Sequence, residues 1–539
     1  MVSPYTVGVP SIVLTTLNAR YAHASFGLRY LLANLGDLAR DAMMLEFEIK
    51  QPIETVAQKI LAQAPTIVGI GVYIWNVNEA TRLVAELKRQ NPKLIIILGG
   101  PEVSYEIDDQ PIVHLADHVV TGEADLAFAG ICRKVLAGEP LPKVIAADLP
   151  EFGTGKVRPT LPLLGQRGAV VNDTIALPYD LYDATDIAHR VIYVEASRGC
   201  PFKCEFCLSS LDVPVRNVPL DSFLAAMQQL LDRGVRQFKF VDRTFNLNLN
   251  ISRGILQFFI DRLTPGLFLH FEMIPDRLPD ALRQLIAQFP AGTLQFEVGI
   301  QTFNEDVSAL ISRRQDVGKI VENLTWLREN TGVHVHADLI VGLPGEDVES
   351  FGRGFDRLVA LRPQEIQVGM LKRLRGTPIV RHTETWGMVY DESPPYEVRQ
   401  TKLIDATAML HMKRFARFWD LIANSGNFVE TTPLVLQSRP SAFGAFKAMA
   451  DSLYATFDRA HAIALQDLAQ AVLKYCIGEL QLDANTVART LWRDWQRGGR
   501  ADRPKFLKEF IPDTEAAIVR KRAFAAKGVS RQAKHLSGI

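Results

Sequence analysis

Three cysteines stand close together near the middle of the chain, at C-x3-C-x2-C spacing. These are Cys200, Cys204 and Cys207. Residues 191–194 before them are continuously apolar, which predicts a buried strand. Gly199 and Pro201 interrupt that strand, so we expect the three thiols on a loop at its carboxyl end.

The number and spacing of these cysteines favour an iron–sulfur cluster over the alternatives. Cys thiolates hold [4Fe–4S] clusters, and three of them leave one iron open to bind a further group. Structural zinc needs four ligands, and no fourth cysteine or histidine stands nearby. A disulfide would leave one thiol over. The other two cysteines, Cys132 and Cys476, stand in apolar helical patterns and are predicted to be core residues.

The motif, with the aromatic Phe206 before its last cysteine, is similar to the signature of the radical S-adenosylmethionine enzymes. In that family S-adenosylmethionine binds the open iron through its amino and carboxylate groups. An electron from the cluster, a low-potential donor, cleaves the cofactor to methionine and a 5′-deoxyadenosyl radical, which abstracts hydrogen from a substrate. The resemblance also implies an electron donor such as flavodoxin or ferredoxin.

Composition indicates a globular protein of several domains. The chain has 539 residues, enough for roughly three domains of about 150 residues. Hydrophobic residues are 47% and charged residues 22%, which is typical of globular proteins. Lys+Arg and Asp+Glu are both 60, so no net charge favours nucleic acid or a membrane as a partner. Without an evident signal peptide or membrane span, we predict a cytoplasmic protein.

Residues 1–145 alternate apolar strands with amphipathic helices. The predicted strands are 11–15, 45–49, 66–73, 94–98 and 118–121, and the predicted helices are 26–39, 53–63 and 78–90. This alternation predicts an α/β fold with a Rossmann-like, doubly wound parallel sheet. Ligands of such sheets bind at the carboxyl ends of the strands.

This region resembles the cobalamin-binding domain that precedes many radical S-adenosylmethionine domains. The resemblance rests on the turn at residues 99–100, on residues 121–123 and on the loop 17–27. It implies cobalamin contacts from Leu17, Asn18, Tyr21, Tyr73, Gly99, Gly100, Pro101, Glu102, Thr121, Gly122 and Glu123. The alternative is a nucleotide-binding or purely structural domain. The missing G-x-G-x-x-G after the first strand argues against a dinucleotide.

We expect no histidine ligand on cobalt. Cobalamin proteins that use one carry Asp-x-His-x-x-Gly after the first strand. His23 is present here, but Tyr21 replaces the Asp and Phe26 replaces the Gly. A metal-bound histidine needs its other ring nitrogen oriented by a partner. His23 is therefore predicted to be a hydrogen-bonding loop residue.

Strand–helix alternation returns after a predicted linker at residues 146–190. Six strands are predicted at 191–196, 237–241, 268–273, 293–298, 334–341 and 365–371. Six βα units predict a partial (βα)6 TIM-like barrel over residues 191–375, with its chemistry at the carboxyl ends of the strands.

Polar residues stand at these strand ends. The series resembles the branch of the family that contains oxygen-independent coproporphyrinogen oxidase and the methylthiotransferases. The residues that the resemblance assigns to S-adenosylmethionine are Phe206, Asp242, Glu272, Gln301, Arg313 and Asp338. Asp242 departs from the pattern, because Arg243 replaces the second acid found in relatives.

Residues 376–539 show mainly helical periodicity and are predicted to form a helical domain of unknown role at the barrel mouth. The aromatic residues Phe415, Phe418 and Trp419 in this region are predicted to pack in its core.

The sequence predicts a cobalamin-dependent radical S-adenosylmethionine enzyme, which by resemblance methylates an unactivated carbon of an unknown small-molecule substrate. One alternative is a non-methylating oxidoreductase or cyclase, and another is a non-catalytic sensor. A third is a methylthiotransferase, which would need additional cluster cysteines and an RNA-binding module. The sequence shows neither, and we do not expect nucleic acid as a partner.

Overall fold

The computed structural model describes residues 10–152, 174–211, 214–514 and 531–535. Of the predicted linker 146–190, residues 153–173 lie outside the described residues. The part that follows them contains a short turn of helix at Tyr179–Leu181 and a helix at Ala184–His189.

The N-terminal domain is built on six parallel strands in the order β2-β1-β3-β4-β5-β6. The strands are β1 (Ile12–Asn18), β2 (Ala42–Glu48), β3 (Ile67–Gly71), β4 (Ile95–Gly99), β5 (His118–Thr121) and β6 (Val144–Ala146). The first five match the predicted strands. The sixth was not predicted, because it has only three residues and lies at the exposed edge of the sheet.

Five helices cover both faces of this sheet. They are α1 (Phe26–Ala33), α2 (Ile53–Leu61), α3 (Val77–Gln90), α4 (Pro111–Leu115) and α5 (Ala127–Leu136). Leu28 of α1 and Cys132 of α5 belong to one hydrophobic core, and Val56 of α2 and Leu83 of α3 belong to the other. The predicted doubly wound arrangement is confirmed. The helix predicted to reach residue 39 ends earlier, before Gly36 with its left-handed φ of 63°.

The second domain contains another parallel sheet of six strands, in the order β7-β10-β11-β12-β13-β14. Its strands are β7 (Ile192–Val194), β10 (Gln237–Phe240), β11 (Phe268–Met273), β12 (Leu294–Gln301), β13 (His334–Val341) and β14 (Glu365–Met370). A small antiparallel ribbon of β8 (Ser197–Arg198) and β9 (Arg216–Asn217) follows β7. The sheet is open between its edge strands β7 and β14, as predicted for a partial barrel.

The helices of this domain cover the outer face of the sheet. They are α6 (Ala184–His189), α7 (Leu220–Asp232), α8 (Leu249–Ile260), α9 (Asp280–Ile286), α10 (Glu305–Leu310), α11 (Val317–Asn330) and α12 (Val348–Ala360). Alternate strand residues such as Phe240, Phe271 and Phe296 are fully buried beneath these helices. The residues between them face the lumen, which is why polar groups such as Glu297 and Asp338 lie inside the barrel.

The C-terminal region is helical, as predicted. Its helices are α13 (Ala406–Ile422), α14 (Thr431–Leu436), α15 (Ala442–Phe457), α16 (Leu465–Gly478), α17 (Ala484–Arg497) and a last short helix at Arg531–Lys534; a two-stranded ribbon, β15 (Val389–Tyr390) and β16 (Val398–Gln400), precedes them. Phe415 and Trp419 lie 5.1 and 4.7 Å from the ring of Phe355 in the barrel domain. This confirms the prediction that they pack in a core.

Glu346, which follows β13, is a buried carboxyl with neutral hydrogen-bond partners. Thr302 donates to it at 2.7 Å. Burial raises the pKa of Glu346 to about 7, although hydrogen bonds from Thr302 and Ser350 oppose the rise. Because the folded pKa lies above the unfolded one, this group stabilises the fold below the unfolded pKa of about 4.5, and that contribution is lost as the pH rises through the folded value.

We therefore predict that Glu346→Gln makes the free energy of unfolding less dependent on pH. The folded and unfolded pKa values correspond to a difference of about 3 kcal/mol, most of which the wild type loses between about pH 5 and about pH 8. Chemical unfolding at both pH values measures the effect. The control is Glu349→Gln, since Glu349 is exposed in the first turn of α12. Equal pH dependence in wild type and Glu346→Gln would contradict the prediction.

Candidate active site

The three clustered cysteines lie on the loop that joins β8 to β9, so the predicted placement after the first barrel strand is confirmed. All three thiols line one cavity of about 230 Å³. Cys200 and Cys204 are buried, and Cys207 is half-buried. Burial raises the pKa of the Cys200 thiol.

The donor set fits an iron–sulfur cluster better than a single ion. In the described part of the chain, no three His, Cys, Asp or Glu residues lie close enough together to hold one metal ion. A [4Fe–4S] cluster has no such requirement, because each thiolate binds a different iron. Three thiols around one cavity suit it, and their ligand role stays a prediction.

Five of the six residues predicted to bind S-adenosylmethionine line the same cavity as the thiols. They are Phe206, Glu272, Gln301, Arg313 and Asp338. They lie far apart in the sequence. Parallel strands bring them together, since the carboxyl ends of β11, β12 and β13 meet at one edge of the sheet.

Arg313 connects the thiols to the strand ends. Its Nη1 lies 3.3 Å from the Sγ of Cys204, and its Nη2 donates to the carbonyl of Gly299. Its Nε donates to Gln315 at 3.1 Å. These contacts hold a guanidinium at the cavity wall, where it can pair with a carboxylate.

Two buried acceptors in the cavity have no hydrogen-bond donor among the described residues. They are Oε1 of Gln301 and Oδ1 of Asp338. His336 Nε2 lies 3.4 Å from the Asp338 oxygen without hydrogen-bond alignment. Gln301 has a left-handed φ of 70° at an irregularity in β12, which is strain of the kind found at functional sites. Acceptors in need of donors suit the ammonium and hydroxyl groups of S-adenosylmethionine.

Two carboxylates in the cavity wall, Glu272 and Glu297, each have a nitrogen-bearing partner. Arg243 lies 2.9 Å from Glu272, and burial raises the pKa of Glu272 despite this partner. His270 lies 3.0 Å from Glu297. Burial favours the neutral form of Glu297, but the hydrogen bond from His270 and the charge of Lys239 lower its pKa to about 2. These partners therefore keep Glu297 ionised.

Asp242, the sixth predicted residue, does not line this cavity. Its carboxylate accepts hydrogen bonds from the backbone of Ala196 at 3.0 Å and from the hydroxyl of Ser197 at 2.6 Å. Burial raises the pKa of Asp242 to about 7. These contacts lie under the start of the cysteine ribbon, so Asp242 supports the ribbon rather than the cavity wall.

Sequence reasoning missed Glu205, which anchors the cysteine loop. Its buried carboxylate accepts from Ser312 at 2.5 Å, from His382 at 2.9 Å and from Arg381. Its backbone accepts from Ile379 at 3.0 Å. Ser312 directly precedes Arg313, so this one carboxylate relates the loop to the arginine. No local pattern indicated this, because the partners come from distant segments.

The carboxyl edge of the N-terminal sheet faces the rest of the chain, and two predicted cobalamin residues there pair with residues outside their own domain. Glu123 lies 2.9 Å from Arg198 of β8 and also pairs with Arg216 of β9. Glu102 accepts from Arg375 at 3.0 Å and from Tyr396 at 2.6 Å. In the structure Glu123 joins the N-terminal domain to the cysteine ribbon. Glu102 joins it to Arg375 at the end of the barrel region and to Tyr396 in the C-terminal region, so both side chains serve interfaces between domains.

Other predicted cobalamin residues stand at the ends of neighbouring strands. Leu17 is buried in the sheet core, which leaves only its backbone for a ligand. Asn18 donates to Glu46 at 3.0 Å, and Thr121 is half-buried at the end of β5. Gly122 has a φ of 80°, and its amide donates to Ser104 at 3.3 Å.

The turn at residues 99–100 needs glycine for a structural reason. Gly100 has a φ of 114°, and a Cβ there would lie 2.4 Å from the carbonyl oxygen of Val72. The carbonyl of Gly99 accepts from the amide of Val72 at 2.8 Å. The turn therefore packs tightly against the end of β3, and the exposed Pro101 follows it.

Aromatic side chains are exposed at this edge, where they offer flat apolar surface to a ligand. Tyr21 is 45% exposed. Trp75, which sequence reasoning missed, is 47% exposed and stacks on Tyr73 with ring centroids 4.4 Å apart. The aromatic pair directly after a buried strand was the available signal. These groups suit cobalamin, and their contacts to it stay predictions.

His23 is held by the second domain. Its Nδ1 lies 2.6 Å from the hydroxyl of Tyr193 in β7, and the backbone carbonyl of the preceding Ala22 accepts from Val191 at 2.8 Å. The prediction that His23 is a hydrogen-bonding loop residue is confirmed, and the absence of a histidine on cobalt stays a prediction.

We predict that Glu205→Gln loosens the cysteine loop. The substitution keeps the shape of the side chain but removes the negative charge to which Arg381 and His382 donate hydrogen bonds. Hydrogen bonds to charged groups contribute about 1.5–3 kcal/mol each. Iron content after anaerobic gel filtration and the paramagnetic resonance spectrum of the reduced protein are the measurements. Lys203→Gln is the control, as Lys203 is exposed in the same loop. Iron content and spectrum identical to the wild type would contradict the assignment.

Comparison with protein-family models finds three matches. The B12 binding domain matches residues 12–132, and the Radical SAM superfamily matches residues 194–358. A family described as a protein of unknown function (DUF4080) matches residues 384–534. These matches fall within the predicted domains 1–145, 191–375 and 376–539, whose boundaries stay predictions.

Curated relatives are distant. The uncharacterized methyltransferase PH0819 of Pyrococcus horikoshii is 28% identical over 214 residues, which cover 38% of this chain and 46% of that protein. The ribosomal protein uS12 methylthiotransferase RimO of Pelobacter propionicus is 26% identical over 340 residues, 58% of this chain and 74% of that protein. The chain thus matches less than half the length of PH0819.

Two solved structures share the fold. The cobalamin-dependent S-adenosylmethionine radical enzyme OxsB, with aqua-cobalamin and S-adenosylmethionine bound, aligns with a TM-score of 0.59 and 12% identity over 96% of this chain and 84% of its own. The radical S-adenosylmethionine methyltransferase TsrM from Kitasatospora setae, with cobalamin and a [4Fe–4S] cluster bound, aligns with a TM-score of 0.56 and 17% identity over 71% and 78%.

The family matches imply cofactors. A radical SAM domain implies a [4Fe–4S] cluster and S-adenosylmethionine, and a B12 binding domain implies cobalamin. The thiol cavity and the exposed aromatic edge described above suit these groups. The chain therefore carries a B12 binding domain followed by a radical SAM domain, and it shows the fold of cobalamin-dependent radical S-adenosylmethionine enzymes.

Proposed function

We propose that this protein is a cobalamin-dependent radical S-adenosylmethionine methyltransferase that methylates an unactivated carbon of a small-molecule substrate. One observation carries the proposal. Arg198, two residues before Cys200, pairs with Glu123 and Asp125 at the carboxyl edge of the B12 binding domain, at 2.9 Å each. The edge for one cofactor and the loop for the other therefore face each other, as transfer between them requires.

The residues of the chain would bind and orient the cofactors. When bound, the cluster with S-adenosylmethionine supplies radical chemistry and cobalamin supplies a methyl carrier. In this proposal Arg313 pairs with the cofactor carboxylate, and Gln301 and Asp338 accept from its ammonium and hydroxyl groups. The Arg243–Glu272 pair lies in the wall of the same cavity. Positioning of this kind lowers the entropic part of the barrier.

The number and burial of the remaining cysteines favour methylation over methylthiolation. The RimO relative is named a methylthiotransferase of ribosomal protein uS12, and such an enzyme needs cluster ligands beyond the radical SAM motif. The remaining cysteines of this chain, Cys132 and Cys476, are both fully buried in hydrophobic cores. They are unavailable as ligands. PH0819 and TsrM are named methyltransferases, which supports methyl transfer.

The reaction needs a reductant, and an electron donor such as flavodoxin or ferredoxin is the proposed partner. None of the described helices is both long and apolar enough to cross a bilayer. A cytoplasmic location stays a prediction.

The proposed reaction is tested with anaerobically reconstituted protein, cobalamin and S-adenosylmethionine that carries a deuterated methyl group. Added to a small-molecule extract of cells that lack the protein, the enzyme is expected to form 5′-deoxyadenosine and a product that gains one labelled methyl group. A variant with alanine at all three cluster cysteines is the control. A product without the label would instead indicate an oxidoreductase or cyclase. A product that gains a methylthio group would indicate a methylthiotransferase.

We further predict that Arg313→Ala weakens S-adenosylmethionine binding by roughly 10–100-fold while iron is retained, because a charge-assisted contact contributes about 1.5–3 kcal/mol. Arg313→Lys keeps the positive charge but loses the planar guanidinium. Its affinity for S-adenosylmethionine should lie between those of the wild type and Arg313→Ala. Equilibrium binding measures the affinities. Arg253→Ala, on the exposed face of α8, is the control. Unchanged affinity in Arg313→Ala would refute the role.

A further inference from the structure

A second cavity, of about 650 Å³, lies between the barrel and the C-terminal region. Its barrel wall comes from the inner face of β13 and from β14, with His336, Ile340 and Gln367. Its other wall comes from α13 and from Arg531 near the chain end. Both the radical SAM domain and the DUF4080 region therefore contribute to it.

This cavity adjoins the one that contains the thiols. Phe206, between Glu205 and Cys207 in the cysteine loop, lines both. On β13 the side chains of His336, Asp338 and Ile340 share one face. Asp338 lines the thiol cavity, and its two neighbours on that face line the second one. A molecule in the second cavity would reach the thiol cavity past the Phe206 ring.

Helix α13 turns a charged face toward this cavity. Lys413, Ala416, Arg417 and Asp420 line it at helical spacing. The opposite face of the same helix, with Met412 and Phe415, is fully buried. The apolar face holds the helix against the core, and the charged face is left for the cavity.

The lining carries more positive than negative charge. Its cations are Lys372, Lys413, Arg417 and Arg531, and its carboxylates are Glu397 and Asp420. Lys413 pairs with Glu397 at 2.5 Å. Arg417 and Arg531 share Asp420 at 3.0 and 3.1 Å, and Arg531 also pairs with the buried Glu365 at 2.7 Å. Within the described residues Lys372 has no ion-pair partner, and it is exposed. Ammonium and guanidinium groups in excess attract carboxylates and phosphates.

We propose that this cavity is the substrate site, and that it holds an anionic group of the substrate, a carboxylate or a phosphate, on the Lys413–Arg417 face of α13. The proposal rests on the proposed function and names its substrate class. It gives the DUF4080 region a role: that region supplies the cations that orient the substrate, and the barrel supplies the wall next to the cofactor. The reacting carbon then lies at the Phe206 end of the cavity.

The test uses crystals of the holoprotein with S-adenosylmethionine bound, so that Arg313 is engaged, soaked in tungstate as an anion probe. We expect anomalous density within hydrogen-bond distance of Lys413 and Arg417. The double variant Lys413→Gln/Arg417→Gln should lose it, and the charge-preserving Lys413→Arg/Arg417→Lys should keep it. Lys474→Gln/Arg253→Gln removes two exposed charges elsewhere and should also keep it.

Calorimetric titration with inorganic pyrophosphate and with citrate separates phosphate from carboxylate recognition. At least one should bind the wild type roughly tenfold more tightly than the double Gln variant. Absence of anomalous density from the cavity of the wild type, or density unchanged in the double Gln variant, overturns the proposal. Methyl transfer from S-adenosylmethionine to cobalamin, measured on the same preparation, tests the proposed function without this cavity, so the two failures are distinguishable.

Discussion

The arrangement of this protein depends on one buried arginine. Arg198 lies 2.8 Å from Glu195 in its own segment and 2.9 Å from Glu123 and Asp125 across the domain boundary, and its guanidinium lies 4.4 Å from the ring of Tyr30. A mostly buried cation stabilises only when carboxylates surround it, and removing one partner leaves the others uncompensated. The network therefore holds the strand ends of the first domain against the cysteine ribbon of the second.

A second carboxylate network sets the interior of the site. Glu205 ties the cysteine loop to Ser312 and His382, and through Ser312 to the adjoining Arg313, which lies 3.3 Å from the Cys204 sulfur. Loops that carry catalytic residues are mobile unless a scaffold holds them. Here the scaffold is the buried Glu205 carboxylate with three donors, which holds the cysteine loop and Arg313 in one arrangement.

The open side of the barrel explains why a third region is needed. The strands β7 and β14 are edges, and an unpaired edge must be covered. The loop around His23 covers β7, through Val191 and Tyr193, and α13 packs beside β14. Both coverings come from other domains. The lumen is thus closed by segments that also carry groups for binding, which couples the stability of the barrel to the assembly of its sites.

The sequence alone determined most of the fold and predicted the cluster motif, because these signals are local. Apolar periodicity marked eleven of the twelve strands in the two parallel sheets, and the spacing of Cys200, Cys204 and Cys207 needs no tertiary information. Sequence could place Asp242 at a strand end but could not show that its carboxylate turns to Ala196. It likewise could not show that Glu123 faces Arg198, or that Glu205 is buried among donors. Those outcomes depend on residues far apart in the chain. Only tertiary packing decides which distant charges meet, because each buried charge takes the partner that the packed elements bring within reach.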